Sequence, residues 1–285
     1  MDNFRYVVIG HPLGHSMSPF IHRRLFALQG REEDYGSVDI PPEELAGRLA
    51  GMLETFRGLN VTIPHKQAVI PCLRRLEGRA ALYRSVNTIA VTPEGAVGYN
   101  TDADGFLCAL KGAGVALRGR AALLGCGGVG RTFACEAALA GCAVVNAVRD
   151  ADREAAAALK EYVLALSPKT DYAIVSLDNL AAQGDFDLLI NATPVGMYPH
   201  ADASPVEGEA VKRCAAVFDA VYNPRRTRLL ELAEAAGART VGGMPMLVWQ
   251  AAAAHTVWYG ASFREEDIQA LTAVAQDEME RRFQR

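Results

Sequence analysis

No two cysteines in this 285-residue chain are spaced C-x-x-C, although six are present: Cys72, Cys108, Cys126, Cys135, Cys142 and Cys214. Three of them, Cys126, Cys135 and Cys142, fall in an apolar stretch of the kind that packs a core, so the set reads as reduced thiols. Positive charge is not in excess either: 29 Lys and Arg face 33 Asp and Glu, a net charge of -4. That leaves no overall positive field to draw in a nucleic-acid backbone, and a small-molecule partner is expected instead. No stretch approaches the ~20 apolar residues of a membrane span. The opening "MDNFRYVVIGHP" has an acid at its second residue and an apolar run too short for a signal-peptide core, so a cytoplasmic location is expected. His11, His15, His22, His65, His200 and His255 are scattered without metal-ligand spacing, and no metal is expected. Absence of a G-x-S-x-G elbow removes the support for serine hydrolase chemistry. Internal repeats and low-complexity tracts are also missing.

What is present is ample apolar surface. Half the residues are hydrophobic and 22% are charged. A chain of this length exceeds one typical core of about 100 to 150 residues, so two domains are expected. Short apolar runs alternate with amphipathic segments from end to end, the pattern of an α/β protein with a largely parallel sheet. "YVVIG", the run around Val38 and "GLNVTI" predict strands, while "SPFIHRRLFALQ" and "PPEELAGRLAGMLE" predict helices. In the first of these helices Phe20, Leu25 and Leu28 are expected to share one face. Beyond residue 100 the alternation tightens. "RAALLG", "AVVNAV", "YAIVSL", "DLLINA", "AAVFDAV" and "RTVGG" predict strands, with "VGRTFACEAALA", "DREAAAALKEYVLAL" and "TRLLELAEAA" as helices between them, a doubly wound unit. Two closing helices, "MLVWQAAAAHTVWYG" and "REEDIQALTAVAQDEMERRF", have no strand to follow and are expected to return to the first domain.

"LLGCGGVGRT" places Gly125, Gly127, Gly128 and Gly130 directly after an apolar strand and at the start of a helix. Glycines there permit a tight turn and let backbone amides approach a pyrophosphate at the helix N-terminus, which points to a dinucleotide. The adenosine end is ambiguous. An acid at the tip of the next strand suits the ribose hydroxyls of NAD, whereas an arginine suits the 2'-phosphate of NADP. That strand runs into Val148, Arg149, Asp150, Asp152 and Arg153. Arg149 and Arg153 can clamp a phosphate, and Asp150 repels it.

The first hundred residues concentrate a different chemistry. "GHPLGHSMSP", "NVTIPHK", "VNTI" and "GYNTDADG", with "MLVWQ" near the end, gather hydroxyls, amides, one amine and one carboxylate, a set suited to a polyhydroxylated ligand. Local roles compete with that reading. Ser18 before Pro19 suits a helix N-cap, Asn100 and Asp102 suit Asx turns or the cap of a helix near Ala103, and Asn60 and Thr62 can line a polar interior. Lys66 stands apart: beside Asp102 in a cleft, an ammonium can polarise a carbonyl oxygen and supply a proton as an alcohol forms. His15 and His65, inside the polar clusters, are expected to orient their neighbours.

Taken in order, "GHPLGHSMSPFIH", "GLNVTIPHK", "SVNTI", "GYNTDADGF", "LGCGGVGR", "NATPVGM", "DAVYNP" and "GGMPMLVWQA" resemble the motifs of the shikimate dehydrogenase family over nearly the whole chain. The resemblance implies a Rossmann-type cofactor domain over 104–243 and an α/β substrate domain formed by 1–103 with 244–285. It implies NAD(P)H-dependent reduction of 3-dehydroshikimate to shikimate, with Lys66 and Asp102 as the catalytic pair. Ser16 and Ser18 match the serines that hold the substrate carboxylate, while Asn60, Thr62, Asn87 and Gln250 match residues on the ring hydroxyls and Tyr222 closes the site. Gly125, Gly127, Gly128, Val129 and Gly130 match the pyrophosphate loop, Arg149, Asp150 and Arg153 the adenosine end, and Thr193, Ala220 and Gly243 the nicotinamide side. Where many NADP-dependent members read Asn-Arg-Thr, this chain has Val148, Arg149 and Asp150. NADP is therefore the leading cofactor with NAD as alternative, and quinate an alternative substrate. A catalytically silent ligand sensor is the reading from another class. Monomer and homodimer both remain open.

Overall fold

The computed structural model describes residues 5–14 and 16–283, so the expectation for His15 lies outside the described residues. The chain divides into two compact units, one formed by Met1–Gly105 with Val248–Asp277, the other by Phe106–Leu247 with Glu278–Arg285.

The first unit contains β1 (Tyr6–Gly10), α1 (Ser18–Leu28), β2 (Tyr35–Asp39), α2 (Leu45–Thr55), β3 (Gly58–Val61), β4 (Arg75–Leu76), α3 (Arg79–Tyr83), β5 (Thr88–Thr92) and β6 (Gly95–Tyr99). Its sheet runs β2-β1-β3-β5-β6-β4. Strands β1, β2 and β3 are parallel, but β5 is antiparallel to both β3 and β6. β4 pairs parallel with β6, so the sheet is parallel-rich as expected, with one antiparallel insertion: β5 and β6 form a hairpin through "PEG", and a turn that short can join only antiparallel neighbours. Alternation along β1 sends Val7 and Ile9 into a core with Leu49, Leu59 and Ile89, and Tyr6 and Val8 into a second core with Phe26 and Tyr35.

The buried face of α1 is Ile21, His22, Leu25 and Phe26, while Leu28 is 46% exposed and Phe20 is only half-buried. The expected Phe20, Leu25 and Leu28 stripe is thus corrected. Five residues at about 100° each put Phe20 roughly 140° around the helix from Leu25. Phe20 instead lies under the Arg24 guanidinium, 4.8 Å from its ring centre.

Helix α4 (Asp102–Gly112) leads out of the first unit's residues. The second unit then holds β7 (Arg120–Leu124), α5 (Gly128–Leu139), β8 (Ala143–Val148), α6 (Arg153–Leu166), β9 (Tyr172–Ser176), β10 (Leu188–Asn191), α7 (Gly208–Val211), β11 (Ala216–Asp219), α8 (Arg228–Ala235) and β12 (Arg239–Val241). Its six strands are all parallel in the order β12-β11-β10-β7-β8-β9. Numbered within the unit, that is the 3-2-1-4-5-6 order of a doubly wound dinucleotide fold, with the reversal between β7 and β10. Ligands of such sheets bind beyond the carboxyl ends of the strands at that reversal, which here means the residues after Leu124 and Asn191. Two long helices follow, α9 (Gly243–Tyr259) and α10 (Glu265–Phe283). No helix among the described residues is long and apolar enough to cross a membrane. All six cysteines are free, and burial pushes the Cys135 and Cys214 thiols up to about 12 and Cys142 up to about 11, which keeps them protonated and inert.

Candidate active site

In the first unit the polar side chains converge because three loops are laced together at the carboxyl ends of β1, β2 and β3. The Thr62 amide donates to Ile9 O at 2.9 Å and the His11 amide to Ile63 O at 2.9 Å. Buried His65 meets the Ile40 carbonyl through Nε2 at 2.7 Å, which ties the loop after β3 to the end of β2. Lys66 follows it, with its carbonyl accepting from the Val86 amide at 2.8 Å. The backbone on both sides of Lys66 is therefore fixed before its side chain makes any contact.

That side chain reaches Asp102, with Nζ 2.6 Å from Oδ2. Lysine and aspartate are 14% and 8% exposed, far drier than the surface pairs of this protein. An ion pair so placed contributes little net stability, since desolvation offsets most of the attraction. Asp102 opens α4, where an acidic side chain suits the helix's positive end. Its amide donates to Asn100 Oδ1 at 3.1 Å, so the Asx turn belongs to Asn100 and leaves the Asp102 carboxylate for other partners.

Asn87 is the second of those partners. Its Nδ2 donates to Asp102 Oδ1 at 2.9 Å and lies 3.4 Å from Gln250 Oε1, while its Oδ1 accepts from the Thr101 amide at 2.7 Å. Because a backbone amide can only donate, that contact fixes which way the Asn87 amide points. Asn60 lies behind it. Both amide hydrogens of Asn60 are committed, to Asn87 O at 3.2 Å and Thr88 Oγ1 at 3.1 Å, and the fully buried Tyr35 hydroxyl donates to its oxygen at 2.6 Å. Thr62 lies past the end of β3, half-buried. Ser16 and Ser18 are half-buried at the start of α1. The N-cap position is Met17 and carries no side-chain cap; the Ser16 hydroxyl accepts from the Ser18 amide at 3.2 Å. The capping alternative for Ser18 is thereby corrected.

In the second unit the glycine turn joins β7 to α5. Gly125 has φ +90°, a conformation that L side chains rarely adopt, and a Cβ there would lie 2.9 Å from Thr193 Cγ2. Gly127 is extended and exposed, with open space where a Cβ would be, and exposed Gly128 begins the helix beside half-buried Val129. Gly130 packs close to Gly125 O, at 3.2 Å from its own virtual Cβ. The N-cap, Gly127, has no side chain to cap this 12-residue helix, and the glycine cradle at its positive end fits a pyrophosphate. At the tip of β8, Arg149 Nε lies 2.7 Å from Asp152 Oδ2 and Arg153 Nε 3.0 Å from Asp150 Oδ1. Each exposed arginine thus carries its own counter-charge.

Thr193, Ala220 and Gly243 sit just past β10 and β11 and at the start of α9. They are tied by residues that sequence reasoning had not singled out. Thr193 donates through Oγ1 to Asn191 Oδ1 at 2.7 Å, and Asn191 Nδ2 donates to Asp219 Oδ1 at 2.8 Å. Fully buried Asp219 also accepts from the Val221 amide and from Thr227 Oγ1. Burial pushes its carboxyl above the usual range, and its three donors pull the other way. The signal for Asn191 and Asp219 was present, as each opens a motif ("NATPVGM", "DAVYNP"), but polar residues closing buried parallel strands were not read as a pair. A Cβ on Gly243 would meet Ala220 O at 2.4 Å. Tyr222 is half-buried, and burial raises its phenol. Among the described residues no cluster of three or more His, Cys, Asp or Glu is placed to hold a metal.

A family model for the shikimate dehydrogenase substrate binding domain matches residues 8–89. The chain is 37% identical over 275 residues to a shikimate dehydrogenase (NADP(+)) of Moorella thermoacetica, covering 95% of this chain and 92% of the relative. A crystal structure of shikimate 5-dehydrogenase from Thermus thermophilus, in complex with NADP(H) and shikimate, matches with a TM-score of 0.84 at 36% identity, covering 95% of this chain and 99% of that one. A quinate dehydrogenase from Corynebacterium glutamicum in complex with NAD matches with a TM-score of 0.84 at 27% identity, covering 95% and 99%.

Proposed function

The chain belongs to the shikimate dehydrogenase family, and from that premise we propose that it catalyses the reversible NADPH-dependent reduction of 3-dehydroshikimate to shikimate. The observation that carries the proposal is the dry Lys66–Asp102 pair, 2.6 Å apart, with Asn87 on the second carboxylate oxygen. Such a pair presents to a substrate oxygen an ammonium whose charge stabilises developing negative charge and whose proton then neutralises it. Lys66 stabilises the oxygen as it becomes an alkoxide and gives it a proton, and in the oxidation direction it takes that proton back. Asp102 keeps the ammonium aimed and accepts from a neighbouring ring hydroxyl. Asn87, Thr62 and Gln250 hold the other ring hydroxyls, and Asn60 supports Asn87 from behind. Ser16 and Ser18 donate to the substrate carboxylate, and Tyr222 adds a further contact to the substrate.

When bound, the nicotinamide supplies the hydride in reduction and accepts it in oxidation. Gly125, Gly127, Gly128, Val129 and Gly130 receive its pyrophosphate, Arg149 and Arg153 the adenosine end, and Thr193, Ala220 and Gly243 the nicotinamide side. In this reading the second unit serves the cofactor, and the substrate residues other than Tyr222 belong to the first.

A second reading, quinate as substrate with NAD, is favoured by the Arg149–Asp152 and Arg153–Asp150 pairs, which leave the loop with no net charge for a 2'-phosphate. Steady-state kinetics with shikimate and quinate, each under NADP and NAD, test both. Formation of reduced nicotinamide with the highest kcat/KM for shikimate and NADP supports the first reading. No turnover in any of the four combinations overturns the enzymatic account.

A further inference from the structure

We propose that Asp39 is a positioning residue for the substrate's carboxylate group, acting through the loop that carries Ser16 and Ser18. The inference rests on the reading of those two serines given above.

Strands β1 and β2 end side by side, Gly10 paired with Asp39. The chain leaving β1 then turns back across the end of β2, and the Asp39 carboxylate takes hold of it twice. Oδ2 accepts from the Leu13 amide at 2.8 Å, and Oδ1 lies 2.6 Å from His11 Nδ1. From Leu13 the hydrogen bonds continue in one direction. The Leu13 carbonyl accepts from the Ser16 amide at 3.2 Å, and the Ser16 hydroxyl accepts from the Ser18 amide at 3.2 Å. Three successive links therefore join the Asp39 carboxylate to both serines. Ser16 accepts in the last link, so its own hydroxyl hydrogen remains available to an anion.

The His11–Asp39 pair alone carries little weight, because its partners are 43% and 46% exposed and such pairs contribute little. What distinguishes it is the second contact, to a backbone amide that has to be satisfied wherever the loop goes. The His11 imidazole and then the Leu13 amide hold the Asp39 carboxyl below its ordinary range, as expected where both contacts favour the charged form. On the other side the loop is fixed by the His11 amide on Ile63 O. It is also packed tightly at Gly10, where a Cβ would meet Thr62 Cγ2 at 2.4 Å and Leu13 Cδ2 at 3.0 Å. The serines thus depend on Asp39 for their placement relative to Thr62 and Lys66.

The test is steady-state kinetics of Asp39→Ala, Asp39→Asn and Ser18→Ala, with the Asp39→Ala/Ser18→Ala double variant. Asp39→Ala is expected to raise KM for shikimate about tenfold, with kcat and KM for NADP within about twofold, since hydrogen bonds that place a binding group affect binding rather than chemistry. Asp39→Asn, which can still accept from the Leu13 amide, is expected to recover most of the loss. In the Ser18→Ala background, Asp39→Ala should add less than about twofold, because residues acting through one another are not additive. If Asp39→Ala does not fold, His11→Ala takes its place, with a smaller rise and the same non-additivity. An unchanged KM for shikimate, an effect that multiplies with Ser18→Ala, or a parallel loss in kcat and both KM values overturns the proposal. Absence of wild-type turnover on shikimate instead overturns the assignment of the reaction, which keeps the two failures apart.

Discussion

Asn87 donates to one oxygen of the Asp102 carboxylate at 2.9 Å while its own oxygen is locked by the Thr101 amide, so the amide cannot turn over without leaving two groups unpaired. Asp102 is thereby engaged on both oxygens, Lys66 holding the other. The carboxylate that holds the Lys66 amine is itself held, and a group positioned in advance loses less entropy at the moment of reaction.

Replacing the amine tests this directly. Lys66→Met keeps the length of the side chain and removes its proton and charge. It is expected to lower kcat by about two to four orders of magnitude, the usual contribution of a positioned acid–base group, with shikimate affinity changed little. Calorimetric titration of the variant with shikimate beside its kcat checks the split. A loss of binding equal to the loss of rate would sink the assignment.

The two ends of the cofactor reading separate by a pair of glycine variants. Gly127→Ala meets open space and an ordinary φ of -70°, so its melting temperature should match the wild type while KM for NADP rises about tenfold through lost amide approach. Gly243→Ala would put a Cβ 2.4 Å from a backbone oxygen, so it is expected to melt lower as well. Thermal denaturation of both beside NADP kinetics decides. A Gly127→Ala protein with unaltered cofactor KM contradicts the pyrophosphate site.

Acid stability follows from two histidines 2.9 Å apart in the first unit, His22 Nδ1 against His255 Nε2. Burial holds both below their ordinary value of 6.5, His255 at about 3. With folded values under the unfolded one, their contribution is complete above about pH 6.5 and is lost as pH falls, at up to about 1.4 kcal/mol per pH unit for each. His22→Phe keeps a ring on Tyr35, which stacks 4.1 Å away, and removes one titrating group. Urea unfolding between about pH 7 and pH 5 should show a shallower pH slope for the variant than for the wild type. Equal slopes would mean that His22 is not buried neutral.

Asp219 offers a stability test in the second unit. Asp219→Ala leaves Asn191, the Val221 amide and Thr227 without their acceptor, at a cost of about 2 to 4 kcal/mol. Asp219→Asn can keep the Asn191 and Val221 bonds on its oxygen and is expected to lose less than half as much. Denaturant midpoints measure both, and equal losses would show that the hydrogen-bond acceptor is not what matters.

Much of this arrangement was legible before any coordinates. The strand, glycine turn and helix around Gly125 to Gly130 announce themselves locally, since apolar run, left-handed glycine and helix start are neighbours in sequence. Lys66 and Asp102 stand 36 positions apart, and it is the family resemblance of "GLNVTIPHK" and "GYNTDADGF", not a local pattern, that pairs them in the sequence. What stayed hidden depends on tertiary contact. His22 and His255 are 233 positions apart, and neither has a local pattern that predicts the other. Asp39 closes an unremarkable strand, and only the return of the preceding loop gives it two donors. The β5–β6 hairpin escaped because its strands mix threonine, alanine and glycine without clear alternation. The face of α1 follows from helical angle rather than residue type, which puts Phe20 and Leu28 off the stripe of Ile21, His22, Leu25 and Phe26.

Helix α9 carries both tryptophans of the chain, Trp249 and Trp258, on residues grouped with the first unit. Trp258 is fixed there, its indole donating to Ile89 O at 3.0 Å and packing where any side chain on Gly58 would collide. Intrinsic indole emission is therefore a one-sided signal: a denaturation curve followed by fluorescence reports the half of the molecule bearing Lys66, and circular dichroism must be read beside it to follow the other.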